Sequence, residues 1–338
     1  MNASTLKKGV VEFEKGKLTF DCKTSKMRYK RIEKLYLPSK ITLFGVSGHA
    51  KVNMSAFGQL TSLECLCDAY CVLKNLMHLI EFTLKGKADT VPASVEQLIL
   101  KENATIDIIP KENNVIRLFT ESRFVGVAAF TQLEKLKLAR LEIPPLEMLT
   151  KLTALDLFQC FYHAGVSFPS SLKSLHIEKM ALDDHFIKMA SQNCCLSEMK
   201  LVDSVLWENS LNRFNVEKLF YSGSSTPLLP TSIKTLELWT LDTRIDISSL
   251  SNLKQLALNN ACSNSFVFPK HIKTLIIGIC DRIDNFENLR IDNLYISFPH
   301  QLEEWANQWV TTLRTDTSFN VTNVAKLFPN LRKESGEW

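Results

Sequence analysis

PSSLKSLHIEKM, residues 169–180, returns in altered spelling as PTSIKTLELWTL from Pro230 and as PKHIKTLIIGIC from Pro269. In each copy a proline is followed by apolar residues three, six and eight positions later: Pro169, Leu172, Leu175, Ile177; then Pro230, Ile233, Leu236, Leu238; then Pro269, Ile272, Leu275, Ile277. The same offsets fit Pro92, Val95, Leu98, Leu100 and Pro38, Ile41, Phe44, Val46. A second form puts an apolar residue in place of the proline, as in FTQLEKLKLARL from Phe130, LTKLTALDLFQC from Leu149 and LSNLKQLALNNA from Leu250. Both forms share L-x-x-L-x-L. The final L-x-L has the period of an extended strand, whose alternate side chains face opposite sides.

With the first residue of each L-x-L as a marker, the copies run from Phe44 and Leu66 through Leu98, Leu136, Leu175 and Leu236 to Leu313, at intervals near twenty residues. A fixed period of this length is the mark of a repeat architecture, in which no single copy buries its own apolar face and stacking completes the core. From about Leu18 to Leu331 the chain resembles the leucine-rich-repeat superfamily. That resemblance implies an α/β fold, a right-handed curved leucine-rich-repeat solenoid with short parallel strands on its concave face. The short period leaves too few residues for a full helix in most copies, so a mostly irregular or 3₁₀ convex side with a few short helices is expected. The interval from Leu175 to Met199 is longer, and LDDHFIKMASQNCC within it predicts a helix capped by Asp183 or Asp184 and carrying Phe186, Ile187 and Ala190. PHQLEEWANQW from Pro299 predicts another.

One solenoid over residues 1–338 is expected, with an N-terminal cap at about residues 10–30, repeats over about 44–318 and a C-terminal cap over about 319–338. VVEFEKGKLTFDC, from Val10, reads as a hairpin or first strand, and VTNVAKLFPNLRK has Val324, Leu327, Phe328 and Leu331 at helical spacing. The repeats of the family usually carry asparagine five residues after the marker, where its amide serves the turn. Here Asn103 alone fills that slot, with Cys71, Cys160, Cys280, Ser204, Ser224, Leu141, Met180 and Leu241 elsewhere. Buried cysteine packs as a small hydrophobe, so these thiols read as structural. Asp68 falls at an inward position, which points to a register slip near Leu66.

Bulk properties narrow the function. An apolar fraction of 45% suffices for a large core, and no run of about eighteen apolar residues suggests a membrane span. MNASTLKKGV lacks the apolar stretch of a secretory signal, and nine cysteines without paired spacing suit a reducing compartment, so a cytoplasmic location is expected. The N-x-S/T triplets at Asn2, Asn53, Asn103 and Asn320 carry no weight without export. A net charge of +4 is too small to imply nucleic acid or an acidic membrane surface. No partner of either kind is expected, and the protein reads as a monomer.

Chemistry is sparse. Asp156, His176 and Lys200 follow one another in the column after the marker, and a carboxylate beside an imidazole suggests acid–base work, but no nucleophile joins them. A hydrolase using Asp156 and His176 is therefore the weaker alternative. Cys65 and Cys67 are expected to face outward from one strand, yet two thiolates do not make a zinc site, so no metal is assigned. G-x-x-x-x-G-K-S/T, G-x-G-x-x-G and H-E-x-x-H are all missing, and no cofactor or enzyme activity is expected. Hydrocarbon at solvent-facing positions is more informative. Ile99, Phe119, Phe220, Ile276 and Tyr295 lie one residue after markers, and Phe158, Val202 and Trp239 lie three after. Clustered aromatics mark partner surfaces, so Phe119, Phe158, Val202, Phe220, Trp239, Ile276 and Tyr295 are the partner-binding candidates. Lys85, Lys101, Arg117, Lys135 and Lys137 add a basic tint, relieved by Glu81 and Glu121; such charges usually just keep a face solvated and at most steer an acidic partner. The leading reading is a non-enzymatic protein–protein interaction module that binds its partner on the concave face. An adapter or regulatory subunit of a signalling or ubiquitin-ligase complex is the alternative within that class.

Overall fold

The computed structural model describes residues 10–14, 17–21, 39–44, 51–55, 57–123, 126–163, 166–206, 211–223, 227–239, 245–259, 266–278, 283, 286–297, 306–315 and 324–332. They fall in two compact units, Met1–Ser171 and Leu172–Trp338. Both are parallel β-solenoids with few helices, the architecture of a leucine-rich-repeat solenoid.

The first unit begins with an antiparallel hairpin, Val10–Glu14 against Lys17–Asp21, whose second strand pairs in parallel with Lys40–Phe44. Strands Ser62–Cys65, Glu81–Leu84, Gln97–Leu100, Arg117–Thr120, Lys135–Ala139 and Ala154–Phe158 then add in chain order, all parallel. Register aligns Ile41, Leu63, Phe82, Leu98, Leu118, Leu136 and Leu155 in one inward row, each at most 2% exposed. Burying a side chain of this size stabilises by roughly 1.5–3 kcal/mol, and the row exists only because each coil covers its neighbour.

Two expected markers are displaced by three residues: Ile41 and Leu63 hold the row, not Phe44 and Leu66. The turn before the strand explains the choice. Leu60 N donates to Phe57 O at 2.9 Å, as Leu133 N does to Phe130 O at 3.1 Å, Leu152 N to Leu149 O at 2.9 Å and Val95 N to Pro92 O at 3.1 Å. Phe57, Leu60, Leu63 and Cys65 thus repeat the offsets of the other copies, and the proline and apolar forms of the repeat make one and the same turn. Asp68, inward in the displaced register, is exposed.

Where irregular or 3₁₀ crossings were expected, the first unit carries a second parallel sheet: Lys51–Asn53, Tyr70–Val72, Lys87–Thr90 and Thr105–Ile108. Its inward residues Val52, Cys71, Ala88 and Ile106 are buried. Gly86 lies between the two sheets, where a Cβ would come 2.4 Å from Ala69 O and 2.6 Å from Cys67 O. Only glycine lets the backbones approach so closely.

In the second unit, Ser174–Glu178, Glu198–Val202, Lys218–Ser222, Thr235–Trp239, Gln255–Asn259, His271–Ile277, Arg290–Ile296 and Thr312–Thr315 stack in parallel. Leu175, Met199, Leu219, Leu236, Leu256, Leu275, Leu294 and Leu313 form its inward row. The long coil holds the expected helix, Asp184–Asn193, and Asp183 is its cap, accepting from Phe186 N at 2.8 Å. Phe186, Ile187 and Ala190 are buried beneath it. Near the C-terminus the short helix Val324–Leu327 buries Val324 and Phe328, and Arg332 N donates to Thr311 O beside the last strand. The helix expected from Pro299 lies outside the described residues up to position 305, and 306–309 are not helical.

Turns leaving the strands share a feature that spacing did not reveal. Arg140, Gln159, Lys179 and Asp203, each four residues after its marker, adopt positive φ of 58°, 50°, 54° and 47°. Arg140, Lys179 and Asp203 still donate their N–H to the carbonyl of the next coil, at 2.8, 2.9 and 2.8 Å. The left-handed residue turns the chain without losing the ladder. Asn103 is exposed with φ 64° and makes no side-chain hydrogen bond among the described residues. In its slot, Cys160 Sγ donates to Leu138 O at 3.3 Å and Ser204 Oγ to Val202 O at 3.0 Å. Buried amides serve the turns that enter strands instead. Asn113 Nδ2 donates to Pro110 O and Ala129 O, and Asn307 Nδ2 to Phe286 O and Leu289 O. Cys280, Ser224 and Leu241 lie outside the described residues.

Candidate binding surface on the strands

Alternation along the strands turns the residue after each marker, and the one two further on, away from the leucine rows. Phe119, Phe158, Val202, Phe220, Ile276 and Tyr295 are half-buried there, and Trp239 is 37% exposed. None points into the interior. In the second unit, Phe220 and Trp239 come from adjacent strands and touch, with ring centroids 5.8 Å apart. Lys200, the register partner of Phe220, holds its ammonium 4.5 Å from the Phe220 centroid, and Trp239 Nε1 donates to Glu237 Oε1 at 2.7 Å. Lys200 thus lies over the Phe220 ring and Glu237 holds the indole edge of Trp239, which leaves Trp239 the more open of the two.

Ile276 and Tyr295 are also register partners, with Arg314 placing its guanidinium 5.5 Å from the Tyr295 ring. Glu237 and Ala257 occupy the two strands between this pair and Phe220. The second unit thus has two apolar patches rather than one stripe. Val202 pairs with Ser222 and takes no part in the ring contact. In the first unit, Phe119 and Phe158 stand on strands separated by Lys135–Ala139; Arg140 lies 6.0 Å from the Phe158 ring.

The residues considered for acid–base chemistry divide between the units. Asp156 belongs to the first, whereas His176 and Lys200 are register partners in the second. The outward position expected for Cys65 and Cys67 is wrong: they are 0% and 4% exposed. The register displacement is the cause, because Cys65 takes the second inward place of its strand. Its Sγ lies 3.6 Å from Cys67 Sγ and 3.1 Å from Cys71 Sγ. The Cys67 contact pulls the Cys65 pKa down, but the contact from Cys71 and desolvation outweigh it, and the thiol is held far above its ordinary range. Such a thiol is inert rather than nucleophilic. Among the described residues no cluster of three or more His, Cys, Asp or Glu is placed to hold a metal. No described helix is long and apolar enough to cross a membrane.

The strand face of the first unit also holds a depression of about 190 Å³, lined among others by Ile99, Phe119, Lys135, Ala154 and Asp156. Its origin is Ala154, a small residue in register with Lys135 where neighbouring strands carry Gln97 and Arg117. An alanine among long polar side chains was the signal for it in the sequence. Outside the sheets that carry the leucine rows, Ile108, Val205 and Phe161 are more exposed than any of the anchors, at 63%, 63% and 55%.

Stacked L-x-x-L-x-L coils with parallel strands define the fold as a leucine-rich-repeat solenoid. No family model matches the chain, and no curated protein does. Among solved structures, a leucine-rich-repeat protein of Leptospira interrogans is similar at 16% identity and a TM-score of 0.39, over 82% of this chain and 91% of its own. CroV588, described as a circular leucine-rich-repeat protein, is similar at 12% identity and a TM-score of 0.32, over 92% and 71%.

Proposed function

We propose that the protein is a non-enzymatic interaction module whose strand face binds another protein, with Phe220 and Trp239 as the principal anchors and Ile276 and Tyr295 as a second contact. One observation carries this reading: two aromatic rings from adjacent strands in contact with each other on the strand face, Trp239 exposed and Phe220 half-buried. Hot spots of protein interfaces are enriched in such aromatics, and side chains already held in place lose less freedom on binding. Lys200 and Glu237 supply that restraint.

The test is an affinity measurement on a partner identified by co-purification from cytosol at two salt concentrations. Phe220→Ala with Trp239→Ala should weaken binding by about thirtyfold or more, the effect of losing a hot spot of roughly 2 kcal/mol. Unchanged affinity in the folded double variant refutes the anchor assignment.

A further inference from the structure

The depression in the first unit is small against the roughly 300–1,000 Å³ of a small-molecule site, but its size suits one aliphatic side chain. Its floor is mostly apolar, with Ile99, Phe119 and Ala154, and its lining residues include three cations, Arg117, Lys135 and Lys137, against the single carboxylate of Asp156. Arg117, Lys135 and Lys137 are exposed and have no ion-pair partner among the described residues. Lys101 pairs with Glu121 at 3.7 Å and still reaches the Phe119 ring.

We infer that this depression is a docking site for an acidic protein segment in which one aliphatic side chain is flanked by Asp or Glu. The aliphatic group seats between Ile99, Phe119 and Ala154, and the flanking carboxylates meet Arg117, Lys135 and Lys137. The inference rests on the reading of the strand faces as protein-binding surfaces and adds the chemistry of the partner. Charge complementarity at an exposed rim accelerates encounter and selects partners, while the apolar seat sets residence. A basic surface with an aromatic ring also suggests single-stranded nucleic acid, which binds by stacking bases on aromatic faces. Phe119 is poorly placed for that, because the ammonium groups of Lys101 and Lys137 sit 5.0 and 5.2 Å from its centroid. Their approach leaves little ring face for a base, and it raises the positive potential that a carboxylate meets.

The full chain is titrated, with fluorescence anisotropy as readout, against a fluorescein-labelled nonapeptide bearing a central leucine between glutamates. Parallel probes are the same peptide with serine for leucine, its lysine counterpart, and a labelled oligothymidine. The acidic leucine peptide should bind more tightly than all three, and more weakly as salt rises. Arg117→Glu with Lys135→Glu should weaken it by about tenfold or more. Ala154→Phe fills the depression and should bring the leucine peptide down to the affinity of the serine peptide. Lys188→Glu, on an exposed helix position of the second unit, is the charge control and should leave binding unchanged. Phe220→Ala with Trp239→Ala should also leave it unchanged, so failure here is distinguishable from failure of the anchor assignment. The inference is overturned if the acidic peptide does not bind, if the charge reversals leave its affinity unaltered, or if serine replaces leucine without loss. Tighter binding of the oligothymidine, lost on the same reversals, overturns it in favour of nucleic acid.

Discussion

Asn307 offers the sharpest test of how the coils are held. It is 2% exposed, and its Nδ2 donates to Phe286 O at 2.7 Å and to Leu289 O at 2.9 Å, while its Oδ1 accepts from Trp309 N at 2.8 Å. One side chain therefore ties the turn before its own strand to the turn one coil earlier. Asn307→Ala removes a partner from three backbone groups at once. A buried polar group left unpaired costs about 1–3 kcal/mol. Phe286 O keeps the bond from Leu289 N at 3.1 Å, so its loss lies at the low end. With about 1 kcal/mol for Phe286 O and about 1–3 kcal/mol each for Leu289 O and Trp309 N, the sum is roughly 3–7 kcal/mol, well above the ~1 kcal/mol of an average substitution. Asn307→Asp keeps the acceptor for Trp309 N but aims a carboxylate at two carbonyl oxygens, and should destabilise at least as much at neutral pH. The exposed amide of Asn252, which donates to Thr231 O at 3.2 Å, is the control, and Asn252→Ala should stay within about 0.5 kcal/mol. Urea unfolding followed by circular dichroism gives the differences. Hydrogen exchange over residues 286–296 and 306–315 reports whether the loss is local, as nearest-neighbour stacking requires. A cost for Asn307→Ala no larger than for Asn252→Ala would refute the reasoning.

Two further predictions concern the turns and the thiols. A left-handed backbone costs a side-chain-bearing residue roughly 1–2 kcal/mol, and glycine gives back about 0.5–1 kcal/mol through its unfolded freedom. Gln159→Gly, at φ 50°, should stabilise by about 0.5–1 kcal/mol, and Asp203→Gly by less, because aspartate tolerates this region better; thermal melts that show no gain for Gln159→Gly contradict the account of the turn. Desolvation raises the Cys160 thiol and pushes Cys194 up to about 12. Iodoacetamide at pH 8 should label the exposed Cys195 in the folded protein and reach Cys65, Cys160 and Cys194 only on unfolding, as peptide mapping will show. A raised thiol pKa favours the folded state while the proton stays bound. The contribution of Cys194 is thus complete below its ordinary 9.0 and is lost as pH rises from there towards about 12.

Much of this molecule follows from local order along the chain. From Leu98 to Leu313 every marker named by L-x-x-L-x-L sits in an inward row, because a strand that buries one face can hide only every second side chain. A helix cap at Asp183 or Asp184, of which the fold uses Asp183, and the outward placement of Phe220 and Trp239 were legible for the same local reason. Local order fails where it is degenerate. ITLF and SLECLC carry apolar residues at both parities, so Phe44 and Leu66 fit the period as well as Ile41 and Leu63 do, and only pairing with the neighbouring coils decides between them. That choice turns Cys65 inward and ends its role as a surface ligand. The second sheet of the first unit was hidden because strands as short as KVN and YCV have no period to read, and their hydrogen bonds lie a whole coil away in sequence. The contact between Phe220 and Trp239, the amide links of Asn307 and the depression opened by Ala154 belong to the same class. Spacing along one strand determines which side chains face water. What each of them meets there depends on the strands stacked on either side, and only the folded chain brings those together.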